Sequence, residues 1–262
     1  MNKRKKIGLV MVIVGILYMV CFFLFIDEFE KVNDTLCFIL TIISVVCIIW
    51  GFGILMIKTS EEHFKEQAIK QEESSKLDKY YKYKPIITYV LIFINVLMFI
   101  LINMIHENEE VLKYAISKND FQFYKLFTAM FIHVDELHLM FNMLALYICG
   151  SKLESLIGNI KYIIVYMISG LGASILIALL SNIPCVGASG AIFGLFGCYL
   201  LIAFKNRNVM KYTYKYDLLP TVIINLIITF AIPNISIIAH VGGLIIGFVC
   251  SKILCRKFVF AV

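Results

Sequence analysis

Four side chains have the type and spacing for acyl-transfer chemistry: Ser189, His240, His138 and Asn142. Ser189 lies in the glycine-studded apolar stretch from Cys185 to Gly197, where Gly187, Gly190, Gly194 and Gly197 recur at steps of three and four. On a helix this spacing makes one smooth stripe, of the kind that lets a second helix approach closely within a membrane. His240 is followed by Gly243 and Gly247, so its imidazole shares a helical face with two glycines. Pairing the two faces would bring serine and imidazole to the roughly 2.6–3.2 Å that a nucleophile–base hydrogen bond needs. Taken alone, His240 reads better as a core histidine bonded to a backbone carbonyl. The matched glycine faces favour the other reading: Ser189 as nucleophile and His240 as the base that takes its proton and passes it to the leaving amine.

The remaining groups suit the charge this attack creates. His138 and Asn142 stand at i and i+4 and so share a face. With the backbone N–H of Ser189, near a helix N-terminus where the dipole favours negative charge, they are the available donors for an oxyanion. The apolar stretches hold no Asp or Glu beyond Glu136, Glu154 and Asp217 at their margins. A Ser–His dyad, not a triad, is therefore expected. Asn95, Asn103 and Asn225 read as ordinary interhelical hydrogen-bonding residues. Gly187-Ala188-Ser189-Gly190-Ala191 is not the nucleophile elbow of soluble hydrolases, because Ala191 replaces its last glycine and no strand precedes it.

The elements that must position these residues are membrane helices. The chain is 61% hydrophobic and 16% charged, with a mean hydropathy of +0.88, whereas soluble domains run near 45–50% apolar and about 25% charged. Apolar runs of the roughly 20 residues a span requires are expected at 7–26, 36–57, 86–105, 136–148, 162–180, 186–204, 218–232 and 236–254. Residues 3–6 are basic, but Asp27 and Glu28 stand where a signal-peptide cleavage site should be, so 7–26 reads as a retained helix. The expected organisation is all-α: a two-helix transmembrane hairpin (1–60), a charged cytoplasmic linker (61–85) and a six-helix core (86–262). Of the 24 Lys and Arg residues, all but Lys31, Lys113, Lys118 and Lys125 fall on one side if both termini are cytoplasmic. The net charge of +6 is thus a matter of topology and implies no nucleic-acid partner. None of the eight cysteines forms a C-x-x-C pair. They read as isolated thiols, with no disulfide framework, metal site or cofactor.

Four motifs in order resemble those of the rhomboid family of intramembrane serine proteases. His133 to Asn142, with His138 between, is similar to the family's second-helix motif. Gly150, Glu154 and Gly158 fit its G-x-x-x-E-x-x-x-G turn. Gly187-Ala188-Ser189-Gly190 matches G-x-S-G, and Ala239-His240 with Gly243 and Gly247 matches A-H-x-x-G-x-x-x-G. The resemblance implies that Ser189 and His240 form a catalytic dyad and that His138 and Asn142 serve the oxyanion. It makes 106–135 the family's first loop, lying partly in the outer leaflet, and implies transmembrane protein substrates and lipid contacts. Two departures stand out. Tyr124-Lys125 replaces a frequent Trp-Arg pair, and Phe193 replaces a tyrosine that stacks on the histidine in many members. The hairpin lies outside the resemblance. A proteolytically silent client-binding relative and a transporter are the competing readings. Retention of Ser189 and His240 argues against the first. The lack of paired interrupted helices and of a buried coupling carboxylate argues against the second. A bacterial plasma membrane is the expected location, and the oligomeric state is open.

Overall fold

The computed structural model describes residues 60–78, 80–105, 108–231, 235–256 and 258, with helical residues between 6 and 17 and at 43 and 47. The hairpin expected from spans 7–26 and 36–57 lies largely outside the described residues. The chain divides into two compact units, Met1–Ala68 and Ile69–Val262. The described residues of the first are helical; the second holds every candidate site residue.

The described helices are α1 (Ser60–Asp78), α2 (Ile86–Ile105), α3 (Lys125–Thr128), α4 (Glu136–Ala145), α5 (Ser151–Ile157), α6 (Asn159–Leu180), α7 (Ser189–Lys205), α8 (Leu219–Ala231) and α9 (Ile237–Leu254). A π-helical turn, Leu146–Gly150, joins α4 to α5, and another, Thr213–Leu218, leads into α8. α6 and α9 are long and apolar enough to cross a membrane; Ile86–Ile102 and Ser189–Lys205 are shorter apolar helices. Lys125–Phe131 and Glu136–Ile157 form a pair bent by 90°. Large apolar side chains such as Ile160, Leu179, Phe230 and Ile253 are exposed, a surface suited to lipid. The protein is an all-helical, multi-pass membrane protein.

α7 is the central helix. Thirteen of its seventeen residues are buried, and it packs most closely on α9 and α6. The α7–α9 seam depends on glycine. A methyl at Gly243 would meet the carbonyl of Gly190, one at Gly247 the carbonyl of Gly194, and one at Gly197 the carbonyl of Leu244. Backbone thus lies on backbone along about two turns of α7, from Gly190 to Gly197, the close approach expected from the two glycine faces.

Two buried carboxylates cap helix N-termini from far away in the chain. Glu154, fully buried, accepts from the N–H of Ile87 (2.9 Å), the N–H of Thr88 (2.7 Å) and the Thr88 hydroxyl (2.7 Å). Glu154, which the sequence places at the margin of an apolar stretch, is thus drawn inward to the orphan N–H groups opening α2, and the segment around it forms α5. Gly158 then turns the chain at φ 85°, and Gly150 lies against the Tyr162 hydroxyl, which accounts for both glycines of that motif. Glu73 on α1 does the same for the helical run entering α8, accepting from the N–H of Tyr212, the N–H of Thr213 (2.9 Å) and the Thr213 hydroxyl (2.5 Å). With Leu77 it forms the buried edge of a helix whose other described side chains are exposed.

Two further features follow from local geometry. Asn95 and Asn225 each place an amide proton on the carbonyl one turn back in their own helices, Leu91 and Thr221, the i−4 carbonyl being always in reach of a short amide, and Asn95 also meets the Tyr166 side chain of α6. α7 begins at Ser189, not at 186. Gly187 has a φ of 126°, which only glycine adopts readily, so it stands before the helix instead of on its stripe.

Candidate active site

Ser189 is the first residue of α7, with Ala188 as N-cap and no side chain capping the helix. The N–H groups of this first turn are left without intrahelical acceptors, as at every helix start. They form a concentration of donors beside the serine hydroxyl.

The approach to Ser189 is fixed by the long loop before α4. Ile116 and Cys185 exchange backbone hydrogen bonds of 3.0 and 2.9 Å, Lys118 donates to the carbonyl of Ser181 (2.7 Å), and Gly187 donates to that of Ala129 (2.8 Å). Lys125 is almost fully buried and bonds to Asp120 at 2.6 Å, tying the loop to itself.

His138 is brought to Gly187. A Cβ at Gly187 would lie 2.8 Å from both Cε1 and Nε2 of the imidazole, so the ring occupies the space a side chain would need, two residues before Ser189. Asp135 caps α4 by accepting from the His138 N–H at 2.7 Å, and His133 stands edge-on to the His138 ring, 5.0 Å between centroids. Asn142, also buried, lies one turn further along, with one amide proton on the His138 carbonyl at 2.9 Å. Its second amide proton is available to a ligand.

His240 sits in the first turn of α9, which Ser236 caps by accepting from the Ala239 N–H. Its ring is stacked on Phe193, 4.1 Å between centroids and 13° between planes. Phe193 is four residues after Ser189 and so one turn along the same face of α7. Gly190 meets α9 at Ala239, whose carbonyl oxygen would be 3.5 Å from a Cβ added there. The imidazole is therefore held at the Ser189 end of α7. No hydrogen bond joins Ser189 to His240 among the described residues, and such bonds commonly tighten only when substrate binds.

Thr229 was not among the residues read from the sequence. Its hydroxyl oxygen is 2.6 Å from His240 Nδ1. A Thr on an apolar helix gives no local sign of which neighbour it faces; only the packing of α8 against α9 reveals it.

These features define a class: a membrane-embedded helix bundle with a serine opening one helix, an imidazole packed on the glycine two residues before it and a second imidazole on the facing helix. The Rhomboid domain model matches residues 120–257, and the chain belongs to the rhomboid family. It is 33% identical over 198 residues to Rhomboid protease GluP of Bacillus subtilis (strain 168), covering 72% of this chain and 39% of that protein. It is 37% identical over 129 residues to RHOMBOID-like protein 1 of Arabidopsis thaliana, covering 48% and 33% respectively. It is 40% identical over 134 residues to RHOMBOID-like protein 6, mitochondrial, of the same plant, covering 50% and 43%. The chain thus spans less than half the length of each of these relatives.

Proposed function

We propose that this protein is an intramembrane serine endopeptidase that hydrolyses peptide bonds in or next to transmembrane segments of other membrane proteins. The observation that carries the reading is the glycine-lined α7–α9 seam, which holds the His240 ring on Phe193 at the end of α7 that begins with Ser189. Ser189 Oγ attacks the scissile carbonyl carbon while its proton passes to His240 Nε2. The resulting oxyanion is met by the Ser189 N–H, His138 and Asn142. Collapse breaks the C–N bond, and the proton on Nε2 goes to the leaving amine. Water then attacks the acyl-enzyme, giving its proton to His240, and the serine leaves with that proton restored.

The family resemblance and the basic-residue distribution support an arrangement of eight spans with both termini cytoplasmic, a six-helix core following a hairpin. A transporter is disfavoured by the buried carboxylates Glu73 and Glu154, which are both occupied in capping helices. The test is reconstitution of the full chain in liposomes with a model transmembrane substrate. Wild type should cleave it, and Ser189→Ala and His240→Ala should not. Cleavage by Ser189→Ala would remove the nucleophile assignment, and an inert wild type that still binds the substrate would favour a client-binding protein.

A further inference from the structure

His240 is held from behind by a two-bond chain. Its Nδ1 is 2.6 Å from Thr229 Oγ1, and the same oxygen is 2.7 Å from the carbonyl oxygen of Asn225, one turn back on α8. Thr229 is 1% exposed. The protons can be assigned by counting. A threonine hydroxyl has one proton to give and lone pairs to accept with. A carbonyl oxygen only accepts, so the short contact to Asn225 requires the hydroxyl proton. The contact to Nδ1 must then draw its proton from the ring. In a neutral imidazole only one nitrogen carries hydrogen, so Nε2 is left with the lone pair. The opposite assignment would direct the hydroxyl proton to Nδ1. It would leave two acceptor oxygens facing each other at 2.7 Å and a hydrogen on Nε2, where a base needs none.

We infer that Thr229 is a positioning residue for the reaction, holding His240 in the Nδ1–H tautomer so that Nε2 is free to take the Ser189 proton. This rests on the assignment of Ser189 and His240 made above. It fills the position behind the base that the sequence left vacant. A carboxylate there would be costly within a membrane. A hydroxyl back-bonded to its own helix can fix the tautomer and ring plane without charge, with Phe193 holding the ring face.

The test uses the full chain in liposomes with the model transmembrane substrate. Thr229→Val keeps the shape and removes the hydroxyl, whereas Thr229→Ser keeps the hydroxyl and removes the methyl. Thr229→Val should lower kcat about 10- to 100-fold with KM changed by less than about twofold, and Thr229→Ser should stay within about threefold of wild type. Nitrogen-15 solid-state NMR of histidine-labelled protein reads the tautomer directly, with His240 assigned by difference from His240→Ala. Wild type and Thr229→Ser should show a protonated Nδ1 and bare Nε2, and Thr229→Val a mixture. Wild-type kcat in Thr229→Val, equal losses in the Val and Ser variants, or a wild-type His240 protonated only on Nε2 would each overturn the inference. If Thr229→Val does not fold, the wild-type spectrum and the Ser variant still decide. Continued cleavage by Ser189→Ala would instead overturn the underlying site assignment, an outcome no Thr229 variant can mimic.

Discussion

Gly243→Ala perturbs the site through the backbone alone. Gly243 is three residues beyond His240, and its Cα lies against Gly190, the residue after Ser189. A methyl there would stand 2.9 Å from the Gly190 carbonyl carbon and 3.2 Å from its Cα, with the carbonyl oxygen closer still. Ordinary carbon contacts begin near 3.5 Å, so the α7 and α9 backbones must separate by at least ~0.6 Å for the carbon alone, and by more for the oxygen. None of these atoms can swing aside, because all belong to helical main chain. Overpacking of this kind costs about 1–3 kcal/mol, and misplacing a reacting pair by about 1 Å costs on the order of 100-fold in rate. The control is Gly172→Ala on α6, where the added methyl meets only the far end of a flexible side chain, Ile246 Cδ1 at 2.6 Å. Both variants should be compared in liposomes for cleavage of a transmembrane substrate, and in thermal unfolding. Gly243→Ala should lose about 100-fold in kcat while Gly172→Ala stays within about threefold. Equal behaviour of the two alanines would refute the argument that backbone contact along the seam sets the Ser189–His240 distance.

Further outcomes follow from the same geometry. If Asn142 is the oxyanion donor proposed, Asn142→Ala should slow kcat by about 100-fold or more without abolishing it, since His138 and the Ser189 N–H would remain. Glu154→Gln replaces a three-bond carboxylate cap by an amide that turns one NH2 toward backbone donors, and should lower unfolding stability by about 3 kcal/mol. Glu73→Gln should act alike on the run entering α8, with the first loss of amide protection at Tyr212 and Thr213 in hydrogen exchange. Gly187→Ala forces a side chain to adopt a φ of 126° and to displace His138, so it should lose activity by more than its effect on unfolding accounts for.

Hydropathy made α2, α6, α7 and α9 legible because each buries or greasily exposes nearly every residue; run length alone located them to within a few positions. The pairing of Ser189 with the His240 helix was legible too, since glycine spacing is a local signal of close approach. What stayed hidden depends on distant partners. Glu154 and Glu73 looked like polar margin and solvated linker, and they are buried because N–H groups 66 to 67 and 139 to 140 residues away need acceptors. The start of α7 was misplaced because an apolar run does not reveal a positive φ at Gly187. Thr229 was invisible for the reason that most polar residues on apolar helices are: back-bonding to the i−4 carbonyl satisfies them anywhere, and only the fold selects one to face an imidazole.

The proposed function stands on Ser189 being a nucleophile activated by His240 inside the helix bundle. Labelling of the liposome-reconstituted full chain with a fluorophosphonate, followed by peptide mass mapping, tests it most directly. Wild type should carry one adduct, located at Ser189, and His240→Ala none at that position. An adduct elsewhere in a preparation that cleaves substrate, or undiminished labelling of Ser189 without His240, would contradict it.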